Sequence, residues 1–285
     1  MYFIGFFKLL SSRNISCSMR LKHIYLLFIA LFFNNINAQS TASKEITKFI
    51  IAAPQLDTLK TIWVYLPKNY QNSKKYYPVI YMHDAQNLFD ASTSYAEEWK
   101  VDEYMNQLIT NESIIIGIEH GNQKRIDELT PYKHEKYGGG KGDDYLTFIK
   151  NTLKPHIDVS YRTKPDANHT TLFGSSLGGL ISFYGAIKYP ETFAKAGVFS
   201  PSFWINPEIF NFVESSDIQI TSKFYFLAGT DEREDMVSDL DRMVALLKEK
   251  GSNDKQIESH SIEGGQHNEK FWAIYFGDAY QWLYN

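Results

Sequence analysis

The stretch that most constrains the fold is Thr171-Leu172-Phe173-Gly174-Ser175-Ser176-Leu177-Gly178-Gly179-Leu180. An apolar-ended run with a β-branched pair, Asn168 to Phe173, stops there in small residues, and from Gly179 to Tyr189 apolar residues recur at helical spacing. Strand, tight turn and helix are the expectation. Gly174 and Gly178 flank Ser176, removing the β-carbons that would collide in so sharp a bend and leaving the hydroxyl at the strand tip. The start of the helix offers backbone N–H groups and positive dipole to an oxyanion developing beside it. Ser176 is therefore the candidate nucleophile, while Ser175 lacks the symmetric glycines and is structural. Gly-x-Ser-x-Gly alone recurs by chance, so its weight comes from the flanking pattern.

The rest of the chain supplies a frame for such a turn. Phe49 to Ala52 and Thr61 to Leu66 are strand-like, and Tyr77 to Met82 and Ser113 to Ile118 are short unbroken apolar runs, as in strands covered on both faces. Trp99 to Ile109 is helix-like, and Glu119 to Gly142 is a long polar loop of the kind that usually carries function. Asp143 to Ile157 predicts an amphipathic helix interrupted late by Pro155. After the turn come strands at Ala196 to Phe199, Lys223 to Ala228 and Gln256 to Ile262, and helices at Ser238 to Lys250 and Glu269 to Leu283. Strands alternating with helices predict an α/β fold with a mostly parallel central sheet and helices on both faces.

The first residues differ in kind. Met19 to His23 is basic, Ile24 to Phe33 is apolar, and Asn34 to Ala38 is short, polar and ends in a small residue. The expectation is an export leader over residues 1–38, with 1–18 an upstream extension if Met19 is the start, leaving a single domain over 39–285. The apolar run is short for a membrane anchor. Residues 1–38 hold four of the 29 basic and none of the 33 acidic residues, so the remainder carries 25 basic residues against 33 acidic ones, a net of −8. So acidic a chain, without a basic run, is a poor partner for nucleic acid or an anionic membrane. The one cysteine, Cys17, lies in the leader, which excludes a disulfide or thiolate metal site in the mature protein. His120 beside Glu119 and His134 beside Glu135 lack metal-ligand spacing, so neither metal nor cofactor is expected.

A serine hydroxyl is a weak nucleophile and needs a base in reach and a third group to orient that base. The order expected after a strand-tip serine is acid, then histidine. Two histidines lie downstream. His260 sits within a predicted strand, whereas His267 sits in a glycine-permitted loop ahead of the last helix and is the better base. The acid belongs on the loop after Lys223 to Ala228, where Asp231, Glu232, Glu234 and Asp235 compete and spacing alone does not choose.

Several segments together resemble the putative-esterase branch of the α/β-hydrolases, which includes feruloyl and acetylxylan esterases, S-formylglutathione hydrolases, mycolyltransferases and siderophore trilactone esterases. They are Val79 to Asn87, Tyr161-Arg162-Thr163, Gly174 to Gly179, Phe199 to Trp204 and Gly264 to Trp272. The resemblance implies an acid three residues after the glycine that ends its strand, which is Glu232 here, with Asp231 second. A glutamate departs from the commoner aspartate. It also implies an oxyanion hole from the backbone N–H of Leu177 and a second donor in His83-Asp84-Ala85-Gln86, with Ala85 favoured over Gln86. Each such donor is worth about 3 to 4 kcal/mol in the transition state.

Arg125, in a segment similar to that of trilactone esterases, is a candidate for an anionic or carbonyl-rich substrate, or else a surface partner of Asp127 or Glu128. Trp204 and Trp272 are candidate acyl-pocket walls. The expected activity is an exported serine esterase acting on a small-molecule or carbohydrate ester. An acyltransferase with the same residues and a non-catalytic binding protein on the same fold are the alternatives.

Overall fold

The computed structural model describes residues 40–215 and 221–284; the expected leader over 1–38 lies outside them. Strands form where the apolar runs demand cover on both sides. In chain order the elements are β1 (Ile46–Ala53), β2 (Thr58–Tyr65), β3 (Val79–His83), α1 (Val101–Met105), β4 (Ile114–Ile118) and α2 (Arg125–Leu129). A small ladder follows, β5 (Lys133–His134) with β6 (Gly138–Gly139), then α3 (Gly142–Phe148) and α4 (Lys154–Ser160). The second half alternates strictly: β7 (Thr170–Ser175), α5 (Leu177–Lys188), β8 (Lys195–Phe199), α6 (Glu208–Ser215), β9 (Lys223–Gly229), α7 (Met236–Glu249), β10 (Ile257–Ile262) and α8 (Glu269–Tyr284).

The large sheet has the order β1-β2-β4-β3-β7-β8-β9-β10. The β1/β2 and β2/β4 pairings are antiparallel, and every later pairing is parallel. Successive residues on its strands point to opposite faces, so each strand feeds two cores. Val79, Tyr81, Leu172, Val198 and Phe226 join a core roofed by α3 to α7. Ile80, Met82, Phe173, Phe199 and Leu227 join a second core under α1 and α8. This is the α/β-hydrolase fold, as expected.

Two helices depart from their predicted extents. The one expected over 99–109 is only α1, because the Trp99 N–H donates to the Asn87 carbonyl at 2.8 Å and Lys100 takes a left-handed conformation with φ 58°. The one expected over 143–157 is α3 and α4 joined by a π-helical turn at Ile149–Leu153. Pro155 has no N–H and its ring crowds the carbonyl four residues back, so the ladder widens ahead of it. The stretch 119–142, expected as loop, contains α2 and the small ladder.

β3 lies between β4 and β7: the chain passes from β3 to β4 on one side and later crosses over β3 to β7 on the other, so the direction of winding reverses here. Open α/β sheets bind ligands in the crevice outside the carboxyl ends of such strands. Ala85 follows β3 and Ser176 follows β7.

Candidate active site

Ser176 sits between β7 and α5 with φ 58° and ψ −122°, a conformation an L-residue adopts only under constraint from its surroundings. The constraint is the approach of the helix start to the strand end. A β-carbon on Gly174 would lie 2.8 Å from the Gly178 carbonyl carbon, and one on Gly179 would lie 2.7 Å from the Phe199 carbonyl oxygen. The Ser176 N–H donates to that same oxygen at 2.9 Å, and the Ser202 N–H donates to the Ser176 carbonyl at 3.1 Å. The bend is thus fastened on the β8 side, and the Ser176 side chain stays half-exposed. Its Oγ lies 3.2 Å from Ser202 Oγ, and among the described residues no hydrogen bond joins it to His267.

Glu232 and His267 come from the next strands along. Ser175 is level with Phe199 in the sheet, and Phe199 with Leu227, so the ends of β7, β8 and β9 stand side by side. Just past β9 the Glu232 side chain folds back and is fully buried. Its Oε1 accepts from the Gly229 N–H and the Ser200 hydroxyl, each at 2.7 Å, and its Oε2 lies 2.6 Å from His267 Nδ1. Both carboxylate oxygens are therefore engaged. Asp231, the second choice for the acid, has an exposed side chain and reaches the histidine loop only through its N–H, which donates to the Gly265 carbonyl at 2.9 Å. The acid turn and the histidine loop meet backbone to backbone: a β-carbon on Gly229 would lie 2.1 Å from the Gly265 oxygen. His260 is elsewhere, with Nε2 2.9 Å from Glu258 and its ring against Tyr225.

The turn after β3 faces the same crevice. Asp84 has φ 57°, the Asn87 N–H closes the turn onto its carbonyl at 2.9 Å, and Ala85 is fully buried. A β-carbon on Gly178 would lie 3.3 Å from His83 Cβ and 3.5 Å from Asp84 Oδ2, so the first turn of α5 lies against this turn. Leu177 and Ala85 each open a helical turn, where the N–H has no partner within the turn. Arg125 pairs with neither Asp127 nor Glu128. It grips Asp84 with two hydrogen bonds, Nε to Oδ1 at 2.7 Å and Nη2 to Oδ2 at 2.8 Å, while Glu128 pairs with Lys60. The sequence offered no sign of this because Asp84 lies 41 residues away.

Electrostatics here follow from burial. Burial opposes ionisation of Asp84, but the Arg125 charge and hydrogen bonds outweigh it and hold that carboxyl below its usual range. His83, with Nδ1 2.8 Å from the Tyr145 hydroxyl, is pushed down to about 4, chiefly by burial, and is neutral near pH 7. Burial raises Glu269, whose Oε1 accepts from the Asn87 amide at 3.2 Å.

The tryptophans sit differently from each other. Trp272 is only 5 % exposed; its indole N–H donates to Ser200 Oγ at 2.8 Å and it meets the His267 ring edge-on at 5.0 Å. That places it beneath the histidine rather than along an open wall. Trp204 is half-buried, edge-on to Tyr137 at 5.9 Å, with the Arg233 guanidinium 4.6 Å from its ring. The rings of His120 and His134 accept hydrogen bonds from the backbone N–H groups of Asn122 and Lys136. Sequence reasoning missed the Ser200 and Ser202 hydroxyls. Their only signal was membership of the Phe199 to Trp204 segment.

Comparison with known proteins gives this geometry a context. The family described as "Putative esterase" matches residues 53–283. The uncharacterized protein YbbA of Bacillus subtilis (strain 168) is 29% identical over 234 residues, covering 78% of this chain and 91% of its own. The ferri-bacillibactin esterase BesA of the same organism is 28% identical over 152 residues, 47% of this chain and 50% of its own. Among solved structures, a ferulic acid esterase superposes with a TM-score of 0.65 at 17% identity, over 84% of this chain and 97% of that one.

Proposed function

Because this chain belongs to the putative esterase family, we propose that it is a serine esterase working through an acyl-enzyme. In this reading Ser176 Oγ attacks the ester carbonyl carbon and His267 Nε2 takes its proton. Glu232 holds the imidazole in the required orientation and stabilises the imidazolium that forms. The N–H groups of Leu177 and Ala85 receive the negative charge on the carbonyl oxygen. Collapse of the tetrahedral intermediate expels the alcohol, which takes the proton back from His267, and water then repeats the sequence to free the acid. The observation that carries the reading is the 2.6 Å contact between His267 Nδ1 and a buried Glu232 carboxylate, beside a serine at φ 58°. In this reading the Ser176 hydroxyl leaves Ser202 Oγ, 3.2 Å away, for His267, and χ1 rotation between staggered wells of a partly exposed serine is fast.

Arg125 enters this mechanism by pinning Asp84, and through it the turn that presents Ala85. Its side chain is 29% exposed, and in this reading it also meets a carbonyl or anionic group of a substrate. Two of the proteins it is similar to are named ferri-bacillibactin esterase and ferulic acid esterase, so trilactones and feruloyl esters are the first substrates to test. Residues 1–38 are proposed to be an export leader on their basic, apolar, small-residue order, a role checked by N-terminal sequencing of the protein from a culture's non-cytoplasmic fractions.

The deciding experiment is labelling with a fluorophosphonate. The unaltered protein should be labelled at Ser176, Ser176→Ala should not be labelled, and both Ser176→Ala and His267→Ala should lose at least about 10⁴-fold in turnover of a small aryl ester while remaining folded. Full labelling of Ser176→Ala, or its undiminished turnover, would remove the proposal.

A further inference from the structure

Outside this site, three carboxylates converge where α1 begins. Glu98, Asp102 and Glu103 each bring one oxygen to within 4.8 Å of the others. Glu98 is 6 % exposed and Asp102 not at all. Each of the three also keeps an oxygen sealed from solvent with no donor among the described residues: Glu98 Oε1, Asp102 Oδ1 and Glu103 Oε2. The remaining oxygens of the buried pair are in use, Glu98 Oε2 accepting from the Thr41 hydroxyl at 3.0 Å and Asp102 Oδ2 from the Ser43 N–H at 2.8 Å. Ser43 Oγ, on the same clamping segment, is likewise buried without a partner. No lysine, arginine or histidine forms an ion pair with any of the three among the described residues. Buried carboxylates without a counter-charge are costly unless something neutralises them.

The donor set consists of oxygen alone, which suits a hard cation. Calcium takes oxygen ligands at about 2.3–2.6 Å, so two of its ligands stand up to about 5 Å apart, while magnesium's shorter bonds bring them closer. We propose that Glu98, Asp102 and Glu103 form a calcium-type cation site that fastens residues 40–43 to the 90–105 stretch. Glu98, Asp102 and Glu103 lie in a stretch with no histidine or cysteine, so nothing in the sequence marks them as metal ligands. A shared proton is the rival occupant: burial first, and the Asp102 carboxylate after it, push Glu103 up to about 7. The site is structural in effect. Trp99, adjoining Glu98, lies 5.8 Å from both Phe199 and Trp272, so the clamp supports the floor under His267 without touching a reacting atom.

The test uses the whole protein, stripped with chelator at pH 8 and titrated with calcium chloride or magnesium chloride in a calorimeter and in thermal melts. Expected are one calcium bound per chain, preferred at least about tenfold over magnesium, and a melting temperature raised by at least about 5 °C. Glu98→Gln and Glu103→Gln should each weaken calcium binding at least about tenfold and remove most of the melting shift. Glu103 is only half-buried, so its variant keeps the test open if Glu98→Gln fails to fold. Absence of binding heat and melting shift up to about 10 mM calcium, or an undiminished shift in Glu103→Gln, overturns the proposal. So does a Glu103→Gln protein as stable without calcium as the unaltered one, when the latter ignores calcium, because a proton then occupies the site. Fluorophosphonate labelling of Ser176 does not depend on the outcome.

Discussion

Glu232 shows how much one side chain is asked to do. With its carboxylate taken up by Gly229, Ser200 and His267, it cannot tolerate an amide. A glutamine presents one acceptor and one donor, and either Gly229 and Ser200 or the His267 N–H would face the wrong group. Glu232→Gln should therefore lower turnover by at least about 10²-fold, while Asp231→Asn, exposed and engaged only through its backbone, should stay within about twofold. Kinetics of the two variants on one aryl ester check this, and a reversed ranking would move the acid role. His83 predicts a pH effect of known sign. Its folded value of about 4 lies below the 6.5 of an open chain, so the unfolded state takes up a proton first as pH falls. Stability present above about pH 6.5 is then lost progressively down to about pH 4, on the order of 3 kcal/mol in full. Urea unfolding from pH 7.5 to 4 should show a shallower decline for His83→Asn than for the unaltered protein.

At the scale of elements, what was legible in the sequence was what local chemistry dictates. The short apolar runs became β3, β4, β7, β8 and β9 because nothing else can bury both faces of so few residues. The turn around Ser176 was legible because Gly174 is demanded by a contact four residues away, with Gly178. What was illegible was set at a distance. The truncation at α1 depends on a hydrogen bond from Trp99 to Asn87, the partner of Arg125 lies on another strand's tip, and the roles of Ser200 and Ser202 exist only because β8 lies between β7 and β9. Gly117 on β4 is another such case, since inside a run of isoleucines it resembles a weak spot. A β-carbon there would lie 2.9 Å from both Ala85 Cβ and the Phe89 ring. Gly117→Ala should cost about 1–3 kcal/mol by overpacking and also shift the turn that presents Ala85. Its kcat should fall further than that of a core variant with an equal drop in melting temperature. Equal falls would detach that turn from catalysis.

Across the whole molecule, the sheet is tied to the 119–129 stretch by one buried ion pair. Lys60 on β2 and Glu128 on α2 are each 3% exposed at the side chain; Lys60 also donates to the Glu119 carbonyl at 3.2 Å, and the Gly121 N–H to Glu128 at 3.1 Å. Removing one partner leaves a lone buried charge, so Lys60→Met or Glu128→Leu alone should cost about 3–5 kcal/mol, whereas the double substitution should recover most of it. Denaturant unfolding of the three variants measures this, and additive losses would contradict it. The same tie bears on how such a molecule diversifies. Glu232 and His267 ride on two loops whose backbones touch at Gly229 and Gly265, so in the proposed mechanism the proton-handling pair travels as a single part. The 119–142 stretch, held by its own anchor, belongs to a different part. A chimera that exchanges 119–142 with that of a relative while keeping Lys60 and Glu128 should alter substrate choice and leave the proton chemistry as it was.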